Sequence, residues 1–262
     1  MQPSTNNESN RDDRLQHIAA LLLKHRAGEE DWGEISHLEG RECSKGIANT
    51  FLICCLLDWQ QHTDVAWEKG ENLVEQLGAE KVWATISSYS KEEWDSKYEF
   101  FGKVHRFRIG HERLWGIAND ICVRYEGNAR NIWLGRGPFD ALVHLWALGA
   151  GDQISRMIVG ALRDCGEIKG DSGDVKPDVH LRRVLGRAVD GEEISATNPA
   201  KVIELTRQLN PTDPWRLDWP LWNIGKYYCR PTSPDCPSCY LRTHCVYYQG
   251  RGGAGVNDSP ET

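Results

Sequence analysis

No stretch of the 262 residues stays apolar for the ~18 positions that a membrane-crossing helix needs, so no helical membrane span is expected. The opening MQPSTNNESNRDD lacks the apolar centre of a secretory signal. A cytoplasmic location follows as the expectation, on the nucleoid if the source is prokaryotic, with residues 1–12 as a disordered lead. Nowhere do apolar and polar residues alternate with period two between turn signals, which argues against strands, and no internal repeat is visible. An excess of basic charge is also missing. Against 31 Lys and Arg stand 38 Asp and Glu, a net charge of -7, so the overall balance is not that of a nucleic-acid-coating protein. The nine cysteines are odd in number, and without a signal peptide they do not suggest a disulfide framework.

What is present points to helices. The chain is 40% hydrophobic with 11 Trp, enough for a packed core. Residues 13–26 place Leu15, Ile18, Ala19 and Leu22 on one helical face. Residues 47–59 are apolar nearly all round, the pattern of a fully buried helix, with Cys54, Cys55 and Trp59 read as core. Helical spacing recurs over 65–77, 79–89, 109–125, 199–209 and 213–228. The fold class read from this is all-α. Residues 247–262, rich in glycine and polar residues, are expected to form a disordered tail.

The most informative stretch is 139–183. Phe139, Leu142, Val143, Trp146 and Ala147 make one apolar stripe, and Ile154, Met157, Ile158, Ala161 and Leu162 make another. Between them lies Leu148-Gly149-Ala150-Gly151, whose glycines permit positive φ and leave backbone N–H groups uncovered at the start of the second helix, where an anion binds well. An ordinary helical hairpin would look the same. Asp178 precedes VHLRRVLGRAV and is a natural N-cap. Two basic clusters, Lys103/His105/Arg106/Arg108/His111/Arg113 and Arg182/Arg183/Arg187, suit phosphates locally, or simply face solvent.

Four cysteines stand apart from the rest: Cys229, Cys236, Cys239 and Cys245, spaced C-x6-C-x2-C-x5-C and interrupted by Pro231, Pro234 and Pro237. They form a compact loop in which four thiolates can hold zinc or an iron–sulfur cluster. Structural zinc more often pairs two C-x2-C knuckles, so the uneven spacing favours [4Fe–4S].

This cysteine spacing near the C-terminus resembles that of endonuclease III and its relatives in the helix-hairpin-helix DNA glycosylase superfamily. The likeness runs over about 47–245. Residues 147–151 look like the family's hairpin, Asp178-Val179-His180-Leu181-Arg182-Arg183 like the segment with its essential aspartate, and FLICCLLDWQQHTDV (51–65) like the helix and loop opening its six-helix barrel. The resemblance implies two all-α domains: a barrel over 47–168, and a cluster domain from 13–46 with 169–246. It implies a monomer acting on double-stranded DNA that contains a damaged or mismatched base, flipped out of the duplex. Asp178 would be the catalytic carboxylate, Asp171 and Asp174 its rivals. Gly149, Ala150, Gly151, Gln60, Gln61 and Arg182 would contact DNA, with a glutamine of the 60–61 pair filling the space that the flipped base leaves. Relatives that also cut the strand carry a lysine two residues beyond the second hairpin glycine. Here that position is Gln153, which cannot form a Schiff base, so the resemblance implies a monofunctional glycosylase. Lys169 and Lys176 are the nearest lysines in sequence. Leu56 stands where the adenine-excising branch has a glutamate, and that branch's extra C-terminal domain is not seen, so adenine excision is disfavoured. The alternatives are a glycosylase that nicks through another lysine, and a non-catalytic DNA-binding protein.

Overall fold

Residues 5–25, 31–170 and 173–251 are described by the structure, a computed structural model. Among them every regular element is helical, and no helix is long and apolar enough to cross a membrane. They divide into two compact units, one within 31–171 and one from 1–30 together with 172–262.

The first unit is built on a helix without a polar face. Its order is α2 (Lys45–Leu57), α3 (Thr63–Leu77), α4 (Val82–Ser87), α5 (Lys91–Ser96), α6 (Arg108–Tyr125), α7 (Pro138–Ala147) and α8 (Asp152–Asp164), with α1 belonging to the second unit. Ser44 caps α2 by accepting from the Ile47 amide. Phe51, Leu52, Ile53, Cys54, Cys55 and Leu57 are all buried, as the all-round apolar pattern demands. One polar residue, Asn49, is fully buried within α2 and satisfied. Its Oδ1 accepts from Trp83 Nε1 and the Ala129 amide, each at 2.9 Å, and its Nδ2 donates to the Ala79 carbonyl. A capping box between Ser90 and Glu93 starts α5. That helix puts Trp94 flat against His111 of α6, ring centroids 4.3 Å apart.

The expected cluster domain included 13–46, but residues 31–46 fall with the first unit. Trp32, Ile35 and Leu38 bury their side chains there, Trp32 beside Trp67 of α3. Trp32, Ile35 and Leu38 are spaced by three, the period of the 3₁₀ turn Gly33–His37 that carries Ile35.

In the second unit α1 (Thr5–Lys24) lays Leu15, Ile18, Ala19 and Leu22 into a core shared with α9 (Val179–Val189), α10 (Ala200–Leu209) and α11 (Asp218–Asn223). Helix extends back to Thr5, into the stretch read as a disordered lead. The single helix expected over 213–228 is instead a 3₁₀ turn (Pro214–Leu217), then α11, then a wider π-type turn (Ile224–Tyr228). Pro214 and Pro220 lack the N–H that a continuous helix needs. The chain ends its described part with a short helix, α12 (Val246–Gly250), at the start of the expected tail. The rest of that tail, 252–262, lies outside the described residues.

Candidate functional site

Each unit contributes a separate set of features. In the first unit, α7 begins with Pro138 at its first turn and ends at Leu148. Gly149 follows at φ +83°, a left-handed conformation that costs glycine nothing. The Gly149 amide donates to the Trp146 carbonyl at 2.9 Å and the Ala150 amide to the Leu145 carbonyl at 3.2 Å, the double closure of a glycine-terminated helix. Gly151 is extended and opens α8 without a side-chain cap. The buried Ser155 hydroxyl donates to the Ala150 carbonyl, pinning the turn. The hairpin therefore presents the N-terminus of a thirteen-residue helix, with its partial positive charge and uncapped amides. Asp152, in the first turn, is tied by both oxygens to Arg156 Nε at 3.0 Å. Gln153 is exposed on that same turn.

The loop after α2 is the second feature. Gln60 is exposed and adopts φ +52°. Gln61 is drawn back: its Nε2 donates to the Leu57 carbonyl at 2.6 Å, and its Oε1 accepts from the Arg106 amide at 3.3 Å. Arg106 also donates to the Gln60 carbonyl. Beneath lies buried His105. The Phe107 amide donates to its Nδ1 at 3.0 Å, which leaves Nε2 to donate to the Trp59 carbonyl at 2.6 Å. Trp59, read from sequence as core, is half-buried. It stacks on His105 at 5.3 Å and carries the Arg113 guanidinium 4.8 Å from its ring centroid. The basic cluster over 103–113 is thus split. Lys103, Arg106, Arg108 and Arg113 are exposed, whereas His105 and His111 are core residues. Burial, its largest cause, holds His111 below the ordinary histidine value.

In the second unit Asp178 caps α9. Its Oδ1 accepts from the His180 and Leu181 amides at 2.8 and 2.9 Å. Its Oδ2 lies 3.8 Å from Lys176 Nζ, and the two side chains are only 14% and 16% exposed. Pro177 stands between them, fixing the turn that brings a residue and its second neighbour together. Asp174, the rival carboxylate, is bound to Arg207 at 2.7 and 2.9 Å; Asp171 lies outside the described residues. Beneath Asp178, burial holds His180 below its ordinary value, and the Arg183 guanidinium approaches its Nδ1 at 3.2 Å.

The arginines of α9 do not form the phosphate patch that their clustering suggested. Arg183 and Arg187 are buried. Arg183 donates to the Cys229 and Gly225 carbonyls. Arg187 donates to the Arg230 and Pro231 carbonyls at 2.8 and 3.1 Å, with the Cys229 sulfur 3.5 Å away. Arg182, half-buried, donates to the Ile194 carbonyl. Helical spacing put these residues on neighbouring faces, but their partners are the backbone of the cysteine loop. Gly225 completes the junction, because a Cβ there would sit 2.5 Å from that of His180.

Cys229, Cys236, Cys239 and Cys245 line one shared cleft. Among the described residues no group of three His, Cys, Asp or Glu side chains is placed to hold a metal ion. The donor set is thus four thiols around one shared space.

No family model matches the sequence. Endonuclease III of Thermotoga maritima is 24% identical over 187 residues, covering 69% of this chain and 77% of that protein. A thermostable thymine-DNA glycosylase superposes with a TM-score of 0.60 at 15% identity, over 91% of this chain and 98% of that one. A non-covalent endonuclease III–DNA complex gives 0.63 at 17%, over 92% and 98%. A trapped covalent endonuclease III–DNA intermediate gives 0.61 at 17%, over 91% and 98%. The chain, with the glycine hairpin, the capped aspartate and the four-cysteine loop in the order read from the sequence, thus shares the all-α fold of these solved structures and is similar in sequence to endonuclease III of Thermotoga maritima.

Proposed function

We propose that the chain is a monofunctional DNA glycosylase of base excision repair. It would hydrolyse the bond between a damaged or mismatched base and its deoxyribose in duplex DNA, leaving an abasic site. The observation that carries this reading is the setting of Asp178. One carboxylate oxygen is held by two backbone amides and the other faces Lys176, so the group is oriented and largely shielded from water. As the base departs with the bonding electrons, positive charge grows at the sugar C1′. A fixed carboxylate stabilises that charge and can take the proton from the water that attacks C1′. The hairpin amides and exposed Arg106, Arg108 and Arg113 would bind phosphates. Gln60, exposed where Gln61 is tied back, is the better candidate to enter the duplex.

The cysteine loop suits a [4Fe–4S] group, since four thiols line one cleft and their C-x6-C-x2-C-x5-C spacing is unlike the paired C-x2-C knuckles of structural zinc. Cys229, Cys236, Cys239 and Cys245 would hold it, and bound there it would supply a structural cross-link and local electrostatics, not a reaction step. Arg187, beside the Cys229 sulfur, would offset thiolate charge.

A second reading has its own support. Gln153 argues against the usual lyase amine, but Lys176 lies 3.8 Å from the Asp178 carboxylate. Its amine, once deprotonated, could attack the abasic aldehyde and expel water to form a Schiff base. A single-turnover assay tests both. Labelled duplexes carrying uracil, a G·T mismatch, alkylated purines, hypoxanthine or oxidised bases are reacted, then divided between a mild quench and hot alkali. Strand breaks only after alkali are expected. Breaks in both halves, with a borohydride-trapped adduct that Lys176→Ala abolishes, would replace the monofunctional reading by the lyase. No breaks with duplex binding intact would favour a non-catalytic DNA-binding protein.

A further inference from the structure

Helix α7 is apolar on two sides, and only one of them is covered. Ala141, Leu142, Leu145 and the following Leu148 turn inward and are buried. Phe139, Val143 and Trp146, which the periodicity joined to Leu142 in one stripe, are instead 71%, 42% and 39% exposed. At about 100° per residue these three centre roughly 135° around the helix from the buried set. Steps of four and three residues make them one continuous ridge, not scattered single side chains. Their exposed fractions amount to about 300 Å² of apolar surface on one short helix, the size of a patch that usually has a use.

One edge of this ridge carries opposite charges at its two ends. Asp140 is exposed in the first turn. Exposed Arg124 of α6 reaches the other end, where its Nη1 donates to the Ala147 carbonyl at 3.3 Å. Neither Asp140 nor Arg124 has an ion-pair partner among the described residues. Asp140 and Ala147 are seven positions apart, so they lie within about 20° of each other around the helix and about 10 Å apart along it. That arrangement is its own complement. A two-fold axis beside Val143, perpendicular to α7, sets a second α7 antiparallel on the first. It brings the same edge of both helices together with their ends exchanged, so Asp140 of each copy meets the Arg124 end of the other. Phe139 then packs beside the other copy's Trp146, the two Val143 side chains meet at the centre, and the helix dipoles oppose. A nucleic-acid strand is a poorer occupant, because the three ridge residues carry no cation and a carboxylate flanks them.

We propose that this face of α7 is the interface of a two-fold dimer of this chain. The inference does not rest on the glycosylase reading, and it departs from the monomer that the family resemblance implies. The paired ridges cover about 600 Å² of apolar surface, less than the ~1,600 Å² of a standard interface. Association is therefore weaker than about 1 µM and depends on protein concentration.

Sedimentation velocity of the full-length protein from about 5 to about 500 µM brackets that range. The mass should rise from 29.7 kDa towards twice that value. Phe139→Asp should stay monomeric throughout. Asp140→Arg alone, or Arg124→Asp alone, should weaken the dimer about tenfold, because symmetry makes each repulsion occur twice. The two reversals in one chain should restore it to within about threefold. All three positions are exposed, so circular dichroism should show every variant folded. The proposal is overturned if the protein is monomeric at every concentration, if a dimer survives Phe139→Asp, or if the double reversal associates no better than the single ones. A monomer whose duplex affinity falls in Phe139→Asp also overturns it and assigns the face to DNA. A monomer that binds a different protein through Phe139 overturns it as well.

Discussion

Replacing Asp178 by asparagine separates the two tasks assigned to that residue. As an N-cap, asparagine is as good as aspartate. Its carbonyl oxygen can still accept from the His180 and Leu181 amides, now at 2.8 and 2.9 Å, so α9 should keep its start and the thermal midpoint should barely move. What disappears is the charge, and with it the pairing to Lys176. One fixed electrostatic contact to charge developing in a transition state is worth about 10²–10³ in rate, or ~3–4 kcal/mol, and loss of a positioned base adds to that. Single-turnover excision on whichever duplex the wild type attacks should therefore fall by about 10³ or more. Binding of the same duplex should hold or tighten, because a negative charge has been removed. Asp178→Ala is the partner experiment. It also loses the cap, costing about 1 kcal/mol, which lowers the midpoint by ~2–4 °C in a chain of this size. If Asp178→Asn excises at the wild-type rate, the carboxylate is only a cap and the catalytic assignment fails.

Further expectations follow from other parts of the structure. Gly149→Val forces a β-branched residue to φ +83°, at a cost of about 1–3 kcal/mol. Duplex affinity should drop equally for damaged and undamaged sequences, and an unchanged affinity would remove the hairpin from the interface. Cys236→Ser should abolish the broad absorption near ~400 nm expected of an iron–sulfur protein; wild-type protein that is colourless and contains zinc would overturn the cluster. Gln153→Lys sets an amine on the exposed first turn of α8, and should create a borohydride-trapped adduct with abasic DNA that the wild type lacks. Stability should also depend on pH. Burial holds His111 and His180 below the ordinary value near ~6.5. The unfolded chain therefore takes up these protons at a higher pH than the folded one. Their stabilising contribution is complete above about 6.5 and is lost as pH falls below it. A His111→Phe variant should show a flatter decline in thermal midpoint between ~6.5 and 5, and an unchanged slope would show that His111 is protonated in place.

The readable parts of this protein were those in which one segment contains its own explanation. The two apolar stripes and the glycines between them specify a helical hairpin, because helix period and left-handed turn are local properties. Asp178 reads as a cap for the same reason: its partners are the amides two and three residues later. Four cysteines in seventeen residues, with prolines preventing one helix from carrying them, line one cleft. The fold class followed from the helical periods together with the absence of alternation.

Several residues whose partners are distant in sequence were misread as surface. His105, His111, Arg183 and Arg187 were counted as part of basic patches, yet all are buried. A charge run carries no sign of what lies opposite it. For Arg183 and Arg187 the partners are carbonyls some forty residues away, and for His105 the Trp59 carbonyl, 46 residues back. The contacts of Trp67 with Trp32 and Phe51 were invisible on the same ground, since the three share no spacing and meet only through packing. Lys176 is the intermediate case. Its closeness to Asp178 is local, two residues across a proline, yet sequence alone gave no reason to prefer it to Lys169. What distinguishes it is that the turn is buried and that the carboxylate's other oxygen is already committed to the helix. An amine confined beside a half-engaged carboxylate has few roles: it orients the carboxylate, or it reacts. Because only the second leaves a covalent trace, the borohydride experiment on Lys176→Ala decides between them.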